Sequence, residues 1–114
     1  MGCSTTAADC RKIVAMPFIT FEGAEGCGKS TQVNRLAVRL WKEGISPLVL
    51  REPGGTVIGE AIRHLLQHSE ENHGMTAKTE LLLFEASRSQ LVREKIQPAL
   101  ARCEWVICDV HAIP

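Results

Sequence analysis

The chain has 114 residues, of which 45% are apolar and 23% charged, with 13 basic residues against 13 acidic ones and a formal net charge of zero. That is the balance of one ordinary globular domain or part of a larger one, and it excludes a field of one sign that would make nucleic acid or an anionic membrane the main partner. The five cysteines (Cys3, Cys10, Cys27, Cys103 and Cys108) are odd in number and lack C-x-x-C spacing, which disfavours a disulfide framework and a zinc site and suits a reducing cytoplasmic setting.

Met1-Gly2-Cys3-Ser4-Thr5-Thr6 fits the short myristoylation pattern. The plainer reading is a leader, residues 1–15, without a role in the fold, with Met16 as the start of the domain proper. No apolar run is long enough for a membrane span, and the first residues hold no secretion-signal core. From Phe18 the run Phe18-Ile19-Thr20-Phe21 reads as a buried strand, with Pro17 at its first position. From Lys29 to Glu43, Val33, Leu36, Ala37, Leu40 and Trp41 recur at helical spacing on one core-facing stripe, and Gly44 is a natural stop. Leu48-Val49-Leu50 is a second strand, ended by Arg51-Glu52-Pro53-Gly54-Gly55. Thr56 can cap a helix to about His68, with Ile58, Ile62, Leu65 and Leu66 facing inward. After a polar loop, Glu70 to Gly74, Thr76 can cap a long helix to about Ile96, where Pro98 forces a break or a restart. Trp105-Val106-Ile107-Cys108 is a third strand, followed by Asp109.

The order β-α-β-α-α-β predicts an α/β fold with a parallel sheet covered by helices on both faces. Right-handed crossovers put the three strand C-terminal ends on one edge, where ligands of such sheets bind. The loops richest in chemistry follow those ends.

Gly23-Ala24-Glu25-Gly26-Cys27-Gly28-Lys29-Ser30 fits G-x-x-x-x-G-K-[ST] between a predicted strand and a predicted helix. Glycines let the backbone curl so that several N–H groups meet one anion, and the helix adds its positive end. This is a phosphate cradle over Gly23–Thr31, expected to hold ATP. Lys29 is expected to reach the β- and γ-phosphates and the Ser30 hydroxyl to ligate Mg²⁺. Thr31 extends the hydroxyl pair. Cys27, at a helix N-terminus, is either a tolerated small side chain or a thiol open to redox chemistry. His64 and His68 stand four apart as metal ligands can, but no third ligand is evident. Arg93, Glu94 and Lys95 read as a solvated helical face.

The segments Phe18–Gly23, Arg51-Glu52-Pro53-Gly54-Gly55-Thr56, Leu81-Leu82-Leu83-Phe84-Glu85-Ala86-Ser87-Arg88 and Trp105–Asp109 follow in order at natural spacing. Together they resemble the N-terminal half of the thymidylate kinases, over about residues 16 to 109. The resemblance implies a P-loop NTPase fold with three of the family's five strands, and an Mg²⁺-dependent transfer from ATP to dTMP. It implies that Arg51 holds the acceptor phosphate, where its fork suits phosphate oxygens, and that Arg51 and Lys29 are the catalytic cations. It implies that Phe84 stacks on the thymine ring while Arg88 bonds its exocyclic oxygen; by periodicity alone Phe84 is plain core. It further implies that Glu25 meets the acceptor sugar and that Asp109 lies near the metal with Ser30. The resemblance also implies a homodimer.

The chain departs from the pattern at Val110, where the family has an arginine, although His111 can match the next position. The family's lid, which supplies a transition-state arginine to relatives without a basic residue between Gly23 and Lys29, has no counterpart in the chain, and the change of pattern after Asp109 suggests a frameshifted or truncated reading frame. The alternatives to a kinase of dTMP are a nucleotide-binding remnant without turnover and a kinase of another nucleoside monophosphate.

Overall fold

A computed structural model describes residues 17–23, 26–67 and 73–111. The leader with Met16, together with Ala24, Glu25 and His68, lies outside the described residues. Strand β1 spans Phe18–Gly23, β2 Leu48–Glu52 and β3 Val106–His111. Helix α1 runs over Lys29–Lys42, α2 over Val57–Gln67, α3 over Ala77–Leu91 and the short α4 over Gln97–Ala101.

The sheet has the order β1-β3-β2 and is parallel throughout, with Phe21 and Arg51 both in register with Asp109. The third strand in sequence is therefore central. It runs farther than its apolar core suggests, taking in Asp109, Val110 and His111 and leaving Trp105 outside. On β3 the side chains alternate between two cores. Val106, Cys108 and Val110 join Leu50, Phe84, Leu91, Ile96 and Ala99, while Ile107 joins Val33 and Leu40 of α1. Both faces are covered, as the alternating pattern predicts. The outer edge of β1 pairs with no strand among the described residues, and Phe18 there is 41% exposed. An unpaired apolar edge is a liability for association.

Local signals set the helix ends. In α1, the Gly44 N–H bonds the Trp41 carbonyl and the Ile45 N–H bonds Leu40, with Gly44 at φ 83°. This is a Schellman closure, which a side chain at Gly44 would strain. Thr56 caps α2 by accepting from the Gly59 N–H at 2.8 Å, and Thr76 caps α3 by accepting from the Thr79 N–H at 3.1 Å.

Pro98 marks a restart of the helical path, one of the two outcomes the sequence allows, and two other expectations change. A wide π-type turn, Val92–Ile96, closes with the Gln97 N–H on the Val92 carbonyl, and Pro98 falls in the first turn of α4, where a missing N–H is not needed. Trp41 is 71% exposed, because α1 turns only Val33 and Leu40 fully inward, with Leu36 and Ala37 beside them. Ile58 is 54% exposed, because α2 packs mainly on α3 rather than on the sheet. Arg93, Glu94 and Lys95 are exposed, as read.

Candidate functional site

The three parallel strands end together, and the loops after them form a cleft of about 480 Å³. Its walls include Gly26, Gly28, Lys29, Ser30 and Thr31 from the first loop, Arg51 from β2 and Asp109 from β3. Residues far apart in sequence thus meet at the edge where the topology places ligands.

Gly26 and Gly28 have φ of 82° and 86°, a region that L side chains avoid, and this curls the loop into the N-terminus of α1. Lys29 is anchored beneath the loop. Its Nζ donates to the Val110 carbonyl at 2.7 Å and the Gly23 carbonyl at 3.0 Å, and lies 3.2 Å from Asp109 Oδ1. Only 10% of the Lys29 side chain is exposed, so the ammonium is held close to the site. Ser30 is exposed at the first turn of α1. The Cys27 thiol is free and exposed, and its Sγ packs over Gly23, where an added Cβ would come within 2.9 Å of it.

Arg51 reaches the cleft with its guanidinium held by Glu60, Nη2 to Oε1 at 2.6 Å and Nε to Oε2 at 3.2 Å. Glu60 Oε2 also accepts from the Gly55 N–H at 2.8 Å. The Arg51 bond, then the Gly55 N–H, hold the Glu60 carboxyl below its ordinary range, and the same bond raises Arg51. Arg63 Nη1 donates to the Pro53 carbonyl, and the Gly54 N–H donates to Ser87 Oγ at 3.0 Å. The loop Arg51–Thr56 is thus tied down by α2 and α3. It contains a cis peptide at Glu52-Pro53.

Phe84 and Arg88 stand together, with Arg88 Cζ 5.5 Å from the ring centroid. They do not line the cleft wall itself. Phe84 is 5% exposed within the larger core, which matches the packing role that periodicity suggests. Arg88 connects to the cleft through Glu52, whose Oε1 accepts from Arg88 Nε at 2.6 Å. Val110, at the position of a family arginine, turns its side chain into the core and offers its carbonyl to Lys29. His111 lines the cleft.

Sequence reasoning missed Glu52, Glu60, Arg63 and Ser87 as site-building residues. Glu60 carried a signal as an acid in the first turn of α2, and Ser87 as a polar residue on the buried stripe of Phe84 and Leu91. Glu52 and Arg63 carried none, since their partners are distant or depend on the loop's path. The cysteine expectation needs one correction, because Cys103 is disulfide-bonded, while Cys27 and Cys108 are free thiols. Among the described residues no cluster of three or more His, Cys, Asp or Glu could hold a metal, and His64 lacks such a set. No helix among them is long and apolar enough to cross a membrane.

The family model for thymidylate kinase matches residues 21–113. The chain belongs to the thymidylate kinase family. It is 55% identical over 91 residues to a thymidylate kinase of Chlorobium luteolum, covering 80% of this chain and 42% of that one. It is 53% identical over 92 residues to a thymidylate kinase of Caldanaerobacter subterraneus subsp. tengcongensis, covering 81% and 43%. The crystal structure of thymidylate kinase from Ehrlichia chaffeensis superposes with a TM-score of 0.71 at 39% identity, over 82% of this chain and 52% of that one. The chain therefore spans less than half the length of the curated thymidylate kinases it matches.

Proposed function

We propose that this thymidylate kinase domain binds ATP in the Gly23–Thr31 cradle and serves transfer of the γ-phosphoryl group to dTMP in the cytoplasm. The observation that carries this reading is the single cleft that unites Lys29 and Ser30 with Arg51 and Asp109. The cradle offers backbone N–H groups and a pre-anchored ammonium to the donor phosphates. Arg51 offers a planar fork to the acceptor phosphate. Two cations flanking the path of the transferred group would offset charge there, and catalysis by positioning needs no covalent intermediate. The Ser30 hydroxyl and the Asp109 carboxylate are hard oxygen donors on the same cleft, a set suited to Mg²⁺, which supplies neutralisation of phosphate charge when bound. In this reading the thymine base is read beside the cleft, at Arg88 with Phe84 packed beneath it as the base wall, and Glu25 meets the acceptor sugar.

A coupled ADP-release assay with Mg²⁺·ATP and a panel of monophosphates tests the proposal. Turnover that depends on dTMP and exceeds that with dCMP or AMP is expected. ATP binding without dTMP-dependent ADP release would leave nucleotide binding without turnover, and faster turnover of dCMP or AMP would overturn the acceptor assignment.

A further inference from the structure

Glu52 ends β2 with core-level burial, 3% exposed, yet it is a carboxylate. Both of its oxygens are used. Oε1 accepts from Arg88 Nε at 2.6 Å, and Oε2 accepts from the Cys108 thiol at 3.3 Å. Burying a charge is unfavourable unless it is fully paired, and an apolar side chain of similar size commonly does as well for stability alone. The neighbouring inward residue of β2, Leu50, follows that simpler solution. The ion pair therefore calls for another role, and its geometry supplies one.

With Nε engaged, the terminal nitrogens of Arg88 are the donors left over, and Nη1 meets Glu85 only at 3.5 Å. The same bond sets the guanidinium over the Phe84 ring. A free arginine side chain on a helix samples many rotamers, and one tethered at Nε presents its donors in one direction. Glu52 also lines the cleft that holds Arg51. We propose that Glu52 is a positioning residue of the acceptor site, fixing Arg88 over Phe84 so that its terminal nitrogens select a nucleobase with an exocyclic oxygen over one with an amino group. This rests on the reading of Phe84 and Arg88 as the base wall.

Titration calorimetry on the full chain and its Glu52→Gln variant, with dTMP, dCMP and ATP, provides the test. In the variant the ratio of dTMP to dCMP affinity should fall roughly tenfold, as expected for loss of a charge-assisted bond, while ATP affinity is unchanged. A constant ratio, whether both affinities fall or neither does, overturns the proposal. If the unmutated chain binds ATP but not dTMP, the acceptor reading itself fails, and that is visible before any variant is made. A measurement on the unmutated protein covers the case in which the variant does not fold. The Arg88 Nε–H proton should exchange slowly with solvent and remain bonded as dTMP is added, and rapid exchange at that proton in the free protein would refute the tether.

Discussion

Glu60 holds Arg51 through two parallel hydrogen bonds while the same carboxylate closes on the Gly55 N–H. One side chain thus fixes both the candidate acceptor-phosphate arginine and the loop that follows it. Its folded pKa is depressed, first by the Arg51 bond. The stabilisation is then present above the ordinary carboxylate pKa and is lost as pH falls through the folded value. Melting temperatures of the chain and of Glu60→Gln should differ at neutral pH and converge in acid below the ordinary carboxylate range. The difference is small, under about 1 kcal/mol, since both side chains are around half exposed. A gap that persists unchanged below that range would assign the effect to packing.

Lys29 is the cation that the loop, β3 and Asp109 jointly anchor. Lys29→Met keeps the stem and removes the charge. It should weaken Mg²⁺·ATP binding by roughly tenfold to a hundredfold, the value of a charge-assisted contact. Calorimetry showing unchanged ATP affinity would remove Lys29 from the donor site.

Among the described residues, two free thiols differ in surroundings. Cys27 is exposed in the phosphate loop, while burial, followed by the nearby Glu52 charge, pushes the Cys108 thiol well up. Iodoacetamide should alkylate Cys27 in the native protein and leave Cys108 intact until unfolding. Saturating Mg²⁺·ATP should slow the reaction at Cys27, as peptide mass spectrometry would resolve. Equal labelling with and without ATP would count against nucleotide in the cradle.

Gly55 and Leu91 meet at the core beneath the cleft. A Cβ on Gly55 would stand 2.6 Å from Leu91 Cδ1, and Gly55 has φ of 84°. Leu91 is fully buried, so Leu91→Ala should cost about 2–5 kcal/mol in urea unfolding. Gly55→Ala should cost about 1–3 kcal/mol from strain and overpacking. In the Leu91→Ala background the same glycine change should cost less, because the clash is gone and only the backbone strain remains. Strict additivity of the two would show that the contact is relieved some other way.

Much of this molecule is legible in its sequence because the signals are local. Apolar periodicity set the order of strands and helices, since a helix and a strand repeat their inward faces at different intervals. Gly44, Thr56 and Thr76 marked helix ends because each completes hydrogen bonds within a few residues. The phosphate loop was readable for the same reason, its glycines acting on their own backbone. Contacts between distant segments decided the rest. The exposure of Trp41 followed from which stretch of α1 met the sheet, and that of Ile58 from the packing of α2 on α3. The wide turn at Val92–Ile96 joins α3 to α4, and Pro98 sits in the first turn of α4. Glu60 on Arg51 and Glu52 on Arg88 are pairings across 9 and 36 residues. Periodicity carries no information about such pairs, because a carboxylate finds its arginine only after the strands and helices have been brought together.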